Sequence, residues 1–259
     1  MRVLRIEQVE HSLKVESGYL PYRDARDKGP ADVIPATAFW LTHLRPGQAP
    51  PDSTLLGAHL MVVLSGLVRA GRTDGPTQTL GPGDVAAVDV RSPGLLALEW
   101  ESDVWLFLAC TPGWLPEPGD NQARPDLAVR AGRPLLTWIY DDAGASRSQP
   151  LRWPGPVSGP PTPDDWPRSR GAFVTRRDYG NDGYAPGVWH NGPRPQLGIT
   201  LNGLAENETG DGTVTRPMAG DIAFIDDVTG RGHVTRGQGD RWMLFVTVAP
   251  GHLPQEPDV

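Results

Sequence analysis

The stretch WHNGPRPQLGITLNG, Trp189 to Gly203, brings His190, Gln196 and Gly203 into one short run. A second histidine, His233, closes GDIAFIDDVTGRGH, where Asp226 and Asp227 precede a Gly-rich turn. A neutral imidazole accepts a proton near neutral pH or binds a metal, and a glutamine amide both donates and accepts hydrogen bonds. Two chemistries are therefore open to this set, proton transfer and metal ligation. The opposing reading is a strand and turn that carry these residues incidentally. Motifs for other chemistry are missing: there is no phosphate loop, no G-x-S-x-G, no H-E-x-x-H and no C-x-x-C. The single Cys110 lies in the apolar run LFLACT and reads as a buried, inert thiol rather than a nucleophile.

The elements that must position these residues are strands. The 259 residues include 31 Gly and 28 Pro, and the apolar segments are short, alternating and closed by turn residues. That pattern predicts an all-β protein. The chain also repeats itself. Leu64–Trp105 aligns with Leu201–Trp242 at a constant offset of 137, with eleven identities, against roughly 3 expected by chance. Gly66 pairs with Gly203, Asp74-Gly75 with Asp211-Gly212, Gly83-Asp84 with Gly220-Asp221, and Trp105 with Trp242. The Asp-Gly pairs predict hairpin turns, because that dipeptide tolerates positive φ. The Gly-Asp pairs predict the starts of the strands VAAV and IAFI. Division near residue 120 gives an N-terminal repeat over 1–120 and a linker plus C-terminal repeat over 121–259.

Lys plus Arg total 24 and Asp plus Glu total 31, a formal charge of -7, with no basic run. A nucleic-acid partner is not expected from that balance. The first residues lack the apolar segment of a signal peptide, and no apolar run approaches the ~20 residues of a membrane span. The expectation is a soluble, cytoplasmic protein, monomeric or homo-oligomeric, acting on a small molecule.

Strand, glycine, Asp-Gly turn, Gly-Asp, strand and a histidine-bearing turn together resemble the cupin superfamily, and two copies resemble a bicupin. The resemblance is clearest over Gly57–Pro112 and Trp189–Pro250. It implies two tandem cupin-type barrels of double-stranded β-helix, or jelly-roll, form, many of which hold a metal. In the motif H-x-H-x3-E-x6-G, His190 takes the first His, Gly192 stands in place of the second, Gln196 takes the Glu position and Gly203 the closing Gly. His233 takes the later His, two residues beyond the usual spacing. In the first copy the offset places Ser53, Leu55, His59 and Leu96 at these positions, so the resemblance implies that its metal site is lost. His59 there reads as a core histidine bonded to backbone.

Strand parity sets His190, Gly192, Gln196, Gly198 and Thr200 on one face and Leu197, Ile199 and Leu201 on the other. The small, polar face predicts a cavity, because a purely structural barrel fills its interior with large aliphatics. By the resemblance, His190, Gln196 and His233 would hold one divalent metal, Fe, Zn, Mn or Ni. Asp227 is the favoured carboxylate to complete an O2-activating set or to act as a base, ahead of Asp226 and Glu206. The implied function is a metal-dependent enzyme on a small organic molecule, a dioxygenase or a carbonyl isomerase or cyclase. The alternatives are a metal-independent enzyme with a histidine base and a non-catalytic binding bicupin.

Overall fold

The computed structural model describes residues 1–24, 34–49, 56–119, 132–151, 166–180 and 187–250. The named elements among them are all β-strands, and the protein is all-β. Among the described residues no helix is long and apolar enough to cross a membrane. Ser53, Leu55 and His252 fall outside the described residues.

The chain forms two compact units. The first holds β1 (Val3–Val9), β2 (Ser12–Tyr19), β4 (Ala38–Leu44), β5 (His59–Ser65), β6 (Val68–Arg72), β7 (Thr77–Leu80), β8 (Val85–Asp89), β9 (Leu96–Glu99), β10 (Val104–Cys110) and β11 (Glu117–Pro118). Its main sheet runs β11-β2-β1-β8-β5-β10-β4, and β7-β6-β9 form a second, smaller sheet. The second unit holds β3 (Tyr22–Asp24), β12 (Leu136–Asp142), β13 (Ala145–Pro150), β14 (Ser169–Asp178), β15 (Trp189–His190), β16 (Gln196–Glu208), β17 (Val214–Thr215), β18 (Ile222–Asp226) and β19 (His233–Val248). Its sheet runs β13-β12-β18-β16-β19-β14-β3, with β15 on β19 and β17 on β16. Strand β3 comes early in sequence yet pairs in parallel with β14, while Trp166 belongs to the first unit and stacks on Trp40 at 6.4 Å. Neither placement shows as a change of composition near residue 120.

The internal repeat is a repeat of structure. The order β2-β1-β8-β5-β10-β4 in one unit matches β13-β12-β18-β16-β19-β14 in the other. The ladder irregularity recurs as well. Trp105 pairs with Ser65 and Leu106 with Val63, and Trp242 pairs with Asn202 and Met243 with Thr200. At each irregularity stands a glycine with φ of 79°, Gly66 and Gly203. A Cβ on Gly66 would meet Asp103 O at 2.6 Å, and one on Gly203 would meet Arg241 Cα at 2.8 Å. No other residue fits such a turn. The buried carboxylates Asp84 and Asp221 also do one job twice, each accepting from backbone N–H groups before the next strand: from Gly81 and Arg2 in one copy, from Met218 and Leu135 in the other. The Asp-Gly turns differ between copies. Gly212 takes φ of 82°, but Gly75 does not lie in the positive-φ region, and the loop from β6 to β7 is one residue shorter than that from β16 to β17.

The first unit fills the matching positions with apolar side chains. Met61, Val63, Ala86, Val88, Leu106 and Leu108 share one core cluster, each no more than about 2% exposed. His59 is buried with Nδ1 2.8 Å from Gly57 O, and burial lowers its pKa. Cys110 is also buried, and burial pushes its thiol up to about 11.

Candidate functional site

The same positions in the second unit do not fill. At the constant offset, Met61 becomes Gly198, Val63 becomes Thr200, Leu96 becomes His233 and Val104 becomes Arg241. Large side chains give way to small or polar ones, and a cavity of about 430 Å³ results. His190, Gly192, Gln196, Gly198 and Thr200 all line it, whereas Leu197, Ile199 and Leu201 are fully buried on the opposite face. Residues of β12, β18, β16, β19, β14 and β3 line this one cavity, so the sheet curls around it. Ile139, Ala223, Ile225 and Phe245 form an apolar wall. Past the irregularity at Gly203 the inward parity of β16 changes, and Asn207 rather than an even-numbered residue faces the cavity.

The two histidines meet by strand register. His190 on β15 pairs with His233 on β19, and the ring centroids lie 4.5 Å apart. His190 is exposed at the mouth, with Nδ1 2.9 Å from Val188 O. Partial burial of its ring and the neighbouring His233 lower its pKa, against the opposing pull of that backbone bond. His233 is buried, and its Nδ1 lies 2.7 Å from Oδ2 of the fully buried Asp227. The turn that delivers His233 is clamped by Asn191, whose amide donates to the carbonyls of Asp227, Thr229 and Gly230. Gly232 passes so close to the His190 carbonyl that a Cβ there would lie 2.1 Å from its oxygen.

The carboxylates expected near the site are placed differently from one another. Asp227 faces the ring of His233 and is not among the cavity-lining residues. It neither caps its own turn nor presents itself as a third ligand. Glu206 pairs with Arg216 and Arg236, and neither Glu206 nor Asp226 lines the cavity. Gln196 is 4% exposed and lines the cavity, with Oε1 buried and lacking a hydrogen-bond partner.

These donors can be weighed against a metal. Both histidines engage Nδ1 and leave Nε2, as metal-binding histidines do. With the Asp227 carboxylate bonded to His233, no carboxylate completes a set of two histidines and one acid. Among the described residues no three His, Cys, Asp or Glu side chains are gathered to hold an ion. The residues do not fit the O2-activating triad.

Sequence reasoning missed the other charged group in the cavity. Arg23 on β3, Arg177 on β14 and Arg241 on β19 all line it, from three neighbouring strands, and among the described residues that line it none is Asp or Glu. The Arg177 guanidinium lies 4.5 Å from the centroid of the Tyr179 ring, and Tyr179 also acts on Arg241, raising its pKa against burial. A Cβ on Gly237 would strike that ring at 2.2 Å, so the glycine makes room for Tyr179. The signal was present in alternation, Phe173, Thr175, Arg177 on one strand and Arg241, Met243, Phe245 on another.

No family model matches the sequence, and no curated protein matches it. Among solved structures the chain is similar to a cupin 2 conserved barrel domain protein from Leptotrichia buccalis, at 11% identity and a TM-score of 0.40, covering 86% of this chain and 92% of that one. It is similar to a protein of unknown function from Pseudomonas syringae pv. tomato at 12% identity and a TM-score of 0.39, covering 96% and 100%. It is also similar to Ylba from Escherichia coli at 12% identity and a TM-score of 0.33, covering 93% and 96%.

Proposed function

We propose that the chain is a bicupin whose second barrel is a small-molecule enzyme, with His233 as the base that moves a proton. The observation that carries this reading is the buried bond from Asp227 to His233 Nδ1. An ionised Asp227 accepts the Nδ1 proton and so fixes the neutral tautomer in which Nε2 carries a lone pair. It also stabilises the imidazolium formed when Nε2 takes a proton, and Asp227 is in this sense a positioning residue. Gln196 Oε1 accepts an N–H or O–H of the bound molecule, because no protein donor satisfies it. His190 closes the mouth beside His233. The step is abstraction of a proton next to a carbonyl and its return at another atom, an isomerisation or cyclisation with no change of oxidation state.

The reading is tested with small carbonyl compounds in D2O, following exchange of the abstracted proton by NMR. His233→Gln should lower exchange by about 10²- to 10⁴-fold. Asp227→Asn should lower it too while leaving the ring in place. Exchange at the wild-type rate in His233→Gln sinks the reading.

A second reading rests on the unpartnered Gln196 Oε1 beside two histidines with engaged Nδ1 atoms. Here His190, His233 and Gln196 hold a divalent metal in a weak, mostly neutral set. Elemental analysis of the purified protein separates the two. Stoichiometric metal that is lost in both His190→Ala and His233→Ala favours this second reading.

A further inference from the structure

The described lining of the cavity carries guanidinium groups that proton transfer at His233 does not use. Arg177 and Arg241 line it beside Arg23, and among the described residues that line it none is Asp or Glu. Aromatic rings lie beside Arg23 and Arg177. Arg23 lies 4.7 Å from the Phe173 ring centroid, and Phe173 stacks on Phe245 at 5.2 Å. Arg241 Nε is buried and has no hydrogen-bond partner. Burial is the largest influence on this guanidinium and lowers its pKa, the charge of Arg177 acts in the same direction, and Tyr179 opposes them. Charge of one sign gathered in a low-dielectric cleft is costly, and a bound counter-charge relieves that cost. Guanidinium forks match the two oxygens of a carboxylate or phosphate.

We infer that the cavity selects a small molecule that carries an oxyanion, carboxylate or phosphate, on an apolar body. The oxyanion sits between Arg177 and Arg241. The apolar body lies along Ile139, Ile225 and Phe245 and leads to His233 and Gln196. This rests on the cavity being the ligand site of the proposed function and adds the class of molecule it takes. Gly203 serves the same end, because only a residue without Cβ lets β16 pass the backbone of Arg241.

The test uses the full chain and three matched probe sets: benzoate with benzamide, 3-phenylpropionate with its amide, and phenyl phosphate with phenol. Binding is read by ligand-observed NMR, competing each charged probe against its neutral partner. The acids should bind about 10- to 100-fold more tightly than the amides, as expected for a charged hydrogen bond in a desolvated site. Phenyl phosphate in place of the acids would assign the oxyanion as phosphate. Arg241→Gln and Arg177→Gln, each checked for an unchanged fold by circular dichroism, should erase the preference. Equal binding of charged and neutral partners, no binding of any charged probe, or a preference kept in both variants overturns the inference. Proton exchange by the wild type is read in a separate measurement. The preference can therefore fail while the histidine chemistry stands, and the reverse.

Discussion

At the scale of single residues, the sequence singled out His190 and Gln196 through their spacing from Gly203, and His233 through the Gly-rich turn before it, and the structure brings all three to one cavity. It did not give Asp227 its direction. An aspartate in a Gly-rich turn is usually bonded to that turn, and only the register of β15 against β19 shows that His233 is the nearer partner. His59 shows the reverse. Its place in an apolar strand predicts a buried imidazole bonded to backbone, and Gly57 O supplies the bond. Burial lowers the pKa of His59 in the folded protein below the ordinary 6.5. The unfolded chain then takes up this proton first as the pH falls, so stability present above 6.5 is lost progressively below it. His59→Gln, which installs the residue of the second copy, should flatten that loss. Urea unfolding of both proteins across this range checks it, and parallel curves would contradict it.

At the scale of elements, the repeat and its paired glycines were legible because turn chemistry recurs at a fixed offset, while the strand order was not. Nor were the arginines. Arg23, Arg177 and Arg241 are far apart in sequence, and an arginine in an alternating strand ordinarily faces water. Strand β3 was invisible for a related reason: three residues without an apolar pattern carry no strand signal, and pairing with β14 is all that defines them. The contrast between the copies lies in few positions, and that can be used. Gly198→Met places the residue of the first copy in the second. Its Cβ would lie 3.2 Å from both Met243 Cε and Phe245 Cε1, and the rest of the side chain would enter the cavity. The variant should lose binding of every probe that the wild type binds, with a melting temperature within a few degrees of wild type, since filling a cavity offsets the local crowding. Scanning calorimetry and ligand-observed NMR read the two effects separately.

At the scale of the whole molecule, two similar units in one chain share strand order but not interior. One invests its inward positions in packing, the other in a cavity. The ion pairs that flank the paired strands have also diverged. Arg69 on β6 lies opposite Glu99 on β9, with 2.9 Å between the charged groups. At the same offset Glu206 lies opposite Arg236, at 3.2 Å. The polarity is reversed. If β6 of one copy annealed to the β9 counterpart of the other while the chain was folding, Arg69 would face Arg236 and Glu206 would face Glu99. Like charges directly opposite on neighbouring strands are destabilising, and misassembly between similar repeats is a common kinetic trap. In that event the reversed polarity would favour pairing of each strand within its own sheet. The double variant Arg69→Glu, Glu99→Arg restores a native pair but erases the reversal. It should unfold at the same urea concentration as the wild type yet refold with lower yield and more aggregate by light scattering, and an equal refolding yield would remove this role from the pair.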